Sequence, residues 1–188
     1  LSGTNVARDF VELPSQIFEH WLEEPAVLEK FAVHVETGRP MPKALLEKLT
    51  AARNFNQGFA TVEFLGSAFA DLDFHALANP GDIDVAAFEK QSMARIGMPD
   101  EITMRHRPAH FLHIFDGDGY SAGYYSYMWA EVLDADGFRA FKEAGNPFDP
   151  ATAKRLHDFV YSAGGTRDYA EAYRLFRGRD PQIDALLE

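Results

Sequence analysis

The sequence contains no cysteine in its 188 residues. Disulfide bonds and thiolate metal ligands are therefore excluded, and the composition suits a reducing compartment, so we expect a cytoplasmic protein. The sequence also lacks an apolar run of about 18 residues, the length that a membrane-spanning helix needs, and we expect no membrane partner. Positive charge is scarce: 18 basic residues stand against 29 acidic ones, for a net charge of −11. This negative field repels phosphates and argues against a nucleic-acid partner.

No stretch of alternating apolar and polar residues is long enough to indicate a β-strand. Apolar residues recur instead at every third or fourth position, as they do on one face of a helix. A hydrophobic fraction of 46% with 16 phenylalanines indicates a packed globular core. The fold class is therefore predicted to be all-α. The helices are expected over residues 15–22, 26–35, 43–77, 85–96, 120–133, 138–143, 150–163, 167–176 and 181–187.

The segment RDFVE carries three charged side chains near the start of the sequence. Arg8 and Glu12 are four residues apart and Asp9 and Glu12 are three apart, so on a helix each pair shares one face. Spacing alone favours a solvated helix edge with a surface ion pair. The alternative is a metal site, because zinc binds carboxylate oxygen and a second carboxylate often orients a zinc-binding histidine.

The segment HRPAHFLH places His106, His110 and His113 at offsets of four and three. On one helix these side chains would share a face that could hold a metal ion. Pro108 disfavours an uninterrupted helix there. We therefore favour a single histidine that donates a hydrogen bond to a ligand. A self-contained histidine metal site is the alternative, and metal analysis of this chain would reveal it.

The segment GDGYSAGYYSYMWAEV combines a glycine-rich loop with Tyr120, Tyr124 and Tyr127. Their spacing of four and three gives one stripe if a helix begins at Tyr120. Such a stripe could pack in the core with its hydroxyl groups at the edge. Equally, three phenols could donate hydrogen bonds to a peptide carbonyl or to an oxyanion. The residues alone leave both interpretations open.

Two further charged groups are assigned to the protein surface. The arginines near the end of the sequence could bind a carboxylate, but a basic surface cluster that balances the acidic composition is the favoured interpretation. Two acidic residues after the tyrosine segment are expected to lie on a solvated edge. The first group is Arg167, Arg174, Arg177 and Arg179, and the second is Glu131 and Asp134.

Three long segments together resemble the thimet oligopeptidase family of zinc metallopeptidases, above all its bacterial peptidyl-dipeptidase (dipeptidyl carboxypeptidase) branch. They read SGTNVARDFVELPSQIFEHW, FLHIFDGDGYSAGYYSYMWAEVLDADGF and AGGTRDYAEAYRLFRGRDP. The resemblance extends over essentially the whole chain, in the order of the family. It implies a multi-helical, zincin-type peptidase domain, in which an HExxH helix supplies two zinc-binding histidines and a glutamate general base.

Carried over residue by residue, the resemblance gives roles to several side chains. It makes Glu12 the third protein ligand of one zinc ion and Asp9 the carboxylate that orients a zinc-binding histidine. Tyr120 and Tyr127 would donate hydrogen bonds to the substrate carbonyl and to the developing oxyanion. The residues implied to contact the peptide substrate are His113, Gly117, Gly119 and Tyr124.

An HExxH motif is missing from this sequence, since no Glu directly follows any of the seven histidines. The resemblance therefore implies that residues 1–188 are the C-terminal part of a peptidase catalytic domain, completed by an N-terminal part of the same protein. Short peptides are the expected substrates, with dipeptides released from their C-terminal end. We expect this chain alone to be inactive and to retain no zinc. The alternative is a non-catalytic helical binding or scaffold domain.

Overall fold

The prediction of an all-α fold is confirmed in a computed structural model that describes residues 3–188, where no β-strand forms. Leu1 and Ser2, which begin the predicted peptidase part, lie outside the described residues. The helices are α1 (Leu13–Leu22), α2 (Pro25–Phe31), α3 (Lys43–Ala52), α4 (Gln57–His75), α5 (Val85–Arg95), α6 (Ser126–Glu143), α7 (Pro150–Leu156), α8 (Tyr169–Arg177) and α9 (Asp184–Leu187). Within residues 3–188, none of these helices is both long and apolar enough to span a membrane.

The chain divides into two compact units. The first unit comprises residues up to 46 together with 126–188, and the second comprises residues 47–125. In the first unit, α1 and α9 pack on α6, and α8 packs on α7 and on the π-helical turn His157–Tyr161 that follows α7. The buried core of this unit consists of Phe10, Leu13, Ile17, Leu133, Phe138, Phe141, Leu156, Val160, Tyr173 and Phe176.

Gly137 lets the helices of the first unit approach closely. A Cβ atom at this position of α6 would lie 3.0 Å from Cδ1 of Ile17 on α1 and 3.2 Å from Cε1 of Phe176 on α8. Both distances are shorter than ordinary van der Waals contacts, so a side chain here would have to displace its neighbours. The spacing of three helices therefore depends on this one glycine.

In the second unit, α4 packs on α5, and both helices contact the 3₁₀ turn Pro108–His110. A second 3₁₀ turn, Leu112–Phe115, follows directly. The buried apolar side chains of this unit include Ala68, Ala70, Met104, Phe111 and Ile114. The buried face of α4 also carries the polar residues Ser67 and Asp71.

The single helix predicted over residues 43–77 is wrong in its middle. It ends at Ala52, and α4 begins only at Gln57. Between them Asn56 adopts a left-handed conformation with φ of 55°, which asparagine tolerates better than most residues and which breaks a right-handed helix. The apolar period continues across the break, because the spacing of apolar residues carries no information about the backbone angle φ.

Other helix boundaries also differ from the prediction. The helix expected over 26–35 ends at Phe31, after which Val33 and Pro40 form an isolated antiparallel bridge. The helix expected over 150–163 ends at Leu156 and passes into the π-helical turn. The segments 126–133 and 138–143 belong to one helix, α6, because Gly137 is tolerated where neighbouring helices need the space.

The predicted basic surface cluster is wrong for Arg177. Its side chain is only 6% exposed, and it donates through Nε to the carbonyl oxygen of Asp136 at 2.8 Å. Its other nitrogens donate to both carboxylate oxygens of Glu143, at 2.7 and 2.8 Å. Asp136 itself is fully buried and accepts hydrogen bonds from Arg179 at 2.5 Å and from the Tyr173 hydroxyl at 2.9 Å. Burial raises the pKa of Tyr173, and the nearby Asp136 carboxylate raises it further.

We expect Asp136→Ala to destabilise the first unit by about 3 kcal/mol, because it removes a buried carboxylate that accepts from Tyr173 and Arg179 and lies 3.3 Å from Nε of the buried Arg177. This loss of stability lies at the low end of the range for breaking a buried ion pair, since Arg177 keeps Glu143 as a partner. Urea unfolding followed by circular dichroism measures the change. Asp180→Ala is the matched control. Asp180 pairs with Arg174 on the surface, so its loss should cost less than about 1 kcal/mol. Equal effects of the two variants would contradict the prediction.

Candidate functional site

The segment RDFVE is not helical, so its charged residues do not share a helix face as the spacing suggested. Residues 8–12 form turns, and α1 begins only at Leu13, with Glu12 as its N-cap. Phe10 and Leu13 are buried in the core of the first unit and fix the turn on both sides of Glu12. The Ser15 hydroxyl donates to the Glu12 carbonyl at 2.9 Å and lies 3.1 Å from its Oε2, which steadies the carboxylate.

Asp9 lies in the same turn and is half-buried. Among the described residues, none forms a hydrogen bond or an ion pair with its carboxylate. A half-buried carboxylate without such a partner is able to accept a hydrogen bond from a group outside the described chain, for example from an imidazole N–H.

Tyr127 lies in the first turn of α6, where Gln16 of α1 contacts its backbone. The Gln16 amide nitrogen donates to the Tyr127 carbonyl at 3.1 Å and lies 3.4 Å from Oδ2 of Asp134. The backbone N–H of Gln16 also donates to the Glu12 carbonyl at 2.9 Å. Gln16 therefore joins the backbone that carries Glu12 to the backbone that carries Tyr127. The sequence reasoning missed this residue, because a lone glutamine one turn after a cap has no distinctive signal.

The predicted solvated edge is wrong for Asp134, which is buried on α6. His20 on α1 lies 2.7 Å from its Oδ1 and stacks on Phe138 with ring centroids 4.7 Å apart. Burial raises the pKa of Asp134, whereas the hydrogen bond from His20 opposes this shift. The pair holds α1 against α6 on the side where Gln16 also binds.

In the second unit, three of the predicted site residues belong to one aromatic cluster that includes Phe111. The His113 ring centroid lies 5.1 Å from that of Tyr120 and 5.8 Å from that of Tyr124. Phe111 meets Tyr124 edge-on at 4.8 Å. His106 stacks on Phe111 at 4.5 Å. The result is a cluster of aromatic rings whose polar edges come from two histidines and two phenols.

Electrostatics in this aromatic cluster favour neutral side chains. Burial lowers the pKa of His106, and the adjacent Arg105 lowers it further. Burial raises the pKa of the Tyr124 phenol, which further favours its protonated form.

The three tyrosines do not form a helical stripe. The helix begins at Ser126, so Tyr127 is helical, whereas Tyr120 and Tyr124 lie in turns of the second unit. Ala122 between them has φ of 55°, which excludes a helix through this segment. The loop glycines Gly117 and Gly119 are exposed. Gly117 has φ of 92°, a conformation that favours glycine, and a Cβ there would meet no atom within 4 Å.

The described residues do not by themselves complete a metal site. No group of three His, Asp or Glu side chains that could hold a metal ion occurs among residues 3–188. The geometry therefore does not support a triad of His106, His110 and His113. Glu12 offers one carboxylate of the type that zinc binds.

Comparison with known proteins gives one consistent result. The model of the family described as Peptidase family M3 matches residues 1–188. The chain is 41% identical over 191 residues to dipeptidyl carboxypeptidase of Salmonella typhimurium, covering 100% of this chain and 28% of that protein. It is 40% identical over 189 residues to oligopeptidase A of Escherichia coli, covering 98% of this chain and 27% of that protein.

A plant relative extends the comparison. The chain is 37% identical over 190 residues to probable cytosolic oligopeptidase A of Arabidopsis thaliana, covering 97% of this chain and 26% of that protein. The chain thus spans at most 28% of the length of these three relatives. The resemblance carried by the three sequence segments is confirmed: over its whole length, this chain belongs to peptidase family M3.

Proposed function

We propose that residues 1–188 are the C-terminal part of the catalytic domain of a zinc peptidase that hydrolyses short peptides. The observation that carries this proposal is the family match over residues 1–188. Relatives named as peptidases, at about 40% identity over the whole chain, support it further. The N-terminal part of the same protein is then the partner that completes the site.

Glu12 is proposed to bind the zinc ion through its carboxylate. Its position supports this role, because buried neighbours on both sides and the Ser15 hydroxyl hold the residue in place. Asp9 is proposed to accept a hydrogen bond from a zinc-binding histidine, a role that fixes the orientation of the imidazole ring. When bound, zinc would supply Lewis-acid polarisation of the peptide carbonyl and activation of a water molecule.

Tyr127 and Tyr120 are proposed to donate their phenolic protons as hydrogen bonds to the oxyanion that develops on the substrate. Donors that are fixed before the reaction stabilise this charge without reorganisation. The Tyr127 backbone is held by Gln16, and the Tyr120 ring is packed against His113. The first contact fixes the backbone that carries the Tyr127 phenol, and the second restricts the Tyr120 ring.

His113, Tyr124, Gly117 and Gly119 are proposed to contact the peptide substrate. The first two lie in the aromatic cluster, which offers ring faces to side chains and polar edges to backbone groups. The exposed glycines leave the loop backbone accessible, so that a peptide can approach it closely. A net charge of −11 disfavours nucleic acid and anionic membranes as partners. The cysteine-free composition supports a cytoplasmic location.

The test is peptide hydrolysis by the complete protein. We expect a hexapeptide with a free C-terminus to lose dipeptides stepwise, as read by mass spectrometry, because the proposed branch acts from the C-terminal end. A chelator should abolish hydrolysis and zinc should restore it. The same peptide with an amidated C-terminus is the matched control and should be cleaved much more slowly.

Each alternative gives a different result in this assay. Equal cleavage of the amidated peptide at internal bonds would replace dipeptide release by endopeptidase activity. Peptide binding without hydrolysis would favour the helical binding or scaffold domain. We expect the isolated chain of residues 1–188 to hydrolyse neither peptide, and activity of this chain alone would contradict the proposed division of the site.

A further inference from the structure

Asp71 is a fully buried carboxylate on α4 of the second unit that the proposed function does not use. It belongs neither to a surface ion pair nor to the proposed zinc shell. Burying a carboxylate is costly unless hydrogen-bond donors surround it. The groups that donate hydrogen bonds to Asp71 therefore indicate its role.

Two of these donors are backbone N–H groups of the tyrosine-bearing loop. The N–H of Ala122 donates to Oδ1 of Asp71 at 2.9 Å, and the N–H of Tyr124 donates to Oδ2 at 2.9 Å. One carboxylate therefore holds the loop at two positions, on either side of Gly123. A carboxylate with two oxygens matches this pair of donors, which no neutral side chain of the same size does.

His75, one turn further along α4, provides the third contact. Its Nδ1 lies 2.7 Å from Oδ1 of Asp71 and 3.3 Å from the N–H of Ala122. A protonated Nδ1 donates to the carboxylate and has no lone pair left to accept from Ala122. The Ala122 N–H is therefore assigned to Asp71, and His75 orients the carboxylate that receives it.

The loop backbone at Ala122 adopts a conformation that requires stabilising hydrogen bonds from its surroundings. Ala122 has φ of 55°, in the left-handed region that residues with a Cβ adopt only when the surroundings impose it. The segment is outside α6, so the N–H groups of Ala122 and Tyr124 lack the carbonyl partners that a helix would give them. The Asp71 carboxylate takes the place of those carbonyls.

We propose that Asp71 is a positioning residue for the substrate-contacting loop, setting the orientation of Tyr120 and Tyr124 through their backbone. This inference rests on the proposed function and adds to it a residue that touches no substrate. Tyr120 and Tyr124 lie on either side of the strained Ala122 residue. A change in the anchor therefore reorients both rings, together with their contacts to His113.

The first test is Asp71→Asn in the complete protein. The amide is the same size, but its NH₂ group cannot accept a hydrogen bond. One of the two loop N–H groups, that of Ala122 or that of Tyr124, therefore loses its acceptor. We expect kcat/KM for peptide hydrolysis to fall about 100-fold, the loss that a misplacement of about 1 Å causes in a catalytic site. Asp73→Asn is the matched control. Asp73 lies on the same helix and pairs with Arg95 and Ser92 instead of the loop, so its kcat/KM should be unchanged.

A double-mutant cycle separates positioning from general destabilisation. If Asp71 acts through the loop, Tyr120→Phe should cost much less in the Asp71→Asn background than in the wild type. Independent, multiplicative losses in kcat/KM would overturn the inference while leaving the proposed function intact. A complete wild-type protein without peptidase activity would overturn the proposed function, and this role of Asp71 with it.

Amide hydrogen exchange decides the matter if Asp71→Asn does not fold. In the complete wild-type protein, the N–H groups of Ala122 and Tyr124 should exchange slowly although they lie outside any helix, because the buried carboxylate holds them. Fast exchange at both positions would overturn the inference. Slow exchange there, beside fast exchange at the exposed loop residues Asp118 and Gly119, would support it.

Discussion

We expect Glu12→Gln in the complete protein to lose zinc and almost all peptidase activity. The amide keeps the size of the side chain and the contact with the Ser15 hydroxyl, but it removes the negative charge that a zinc ligand supplies. Changing a residue that merely orients a ligand typically costs 10–100-fold in metal affinity, so loss of a direct ligand should cost at least about 100-fold. Metal analysis after dialysis and a zinc titration followed by activity measure the two effects.

The control for this variant lies on the same helix. Glu19 is an exposed carboxylate of α1, and Glu19→Gln should leave the zinc content and the activity as in the wild type. Full zinc occupancy in Glu12→Gln would refute the ligand assignment. Loss of zinc in both variants would show instead that α1 tolerates no change in charge.

The second large effect is expected for Tyr127→Phe, which removes one hydroxyl group and leaves the ring. We expect kcat to fall by about 10²–10³-fold, as it does when one oxyanion donor is removed from a hydrolytic site. The value of KM should change by less than about threefold, because the hydroxyl donates to a charge that exists only in the transition state. Steady-state kinetics of peptide hydrolysis by the complete protein separates the two parameters.

Tyr125→Phe is the matched control for this tyrosine. Its side chain is 42% exposed and belongs to none of the proposed contacts, so its kinetics should match those of the wild type. An unchanged kcat for Tyr127→Phe would remove Tyr127 from the proposed oxyanion site. A rise in KM alone would make it a substrate-binding residue, because the ground state and the transition state would then lose the same interaction.

Fold class and family could be predicted from the sequence because both depend on patterns along the chain. The helical period is local, and it correctly predicts α1, α5 and the second half of α6. The match of RDFVE and of the tyrosine segment to a known family is also a local property. Neither requires knowledge of which residues meet in space.

The predicted boundaries failed where backbone conformation contradicted the apolar period. Asn56 and Ala122 both have positive φ, and each lies inside a stretch that the apolar period predicts to be one helix. For Asn56 the residue type offers a hint. For Ala122 there is none, because its N–H donates to the buried Asp71, which lies 51 positions earlier in the sequence.

The exposure of charged residues was also predicted incorrectly in two cases. The sequence predicts a surface position for Asp134, on a solvated edge, and for Arg177, in a basic cluster, because charged residues usually lie there. Each is instead buried against a partner that is distant in sequence, His20 in one case and Asp136 in the other. Burial of a charge depends on a complementary group, and sequence periodicity carries no information about such pairs.

Gly137 couples the packing of the core to the position of Glu12. Any larger residue there must be accommodated by a shift of a few tenths of an ångström in Ile17 or Phe176, and Ile17 lies on the helix that Glu12 caps. A substitution that only changes the packing of the core at this position therefore also shifts the proposed metal ligand, Glu12, by a small distance. We therefore expect a substitution at position 137 to change the metal affinity of the complete protein, although every residue of the proposed site stays the same.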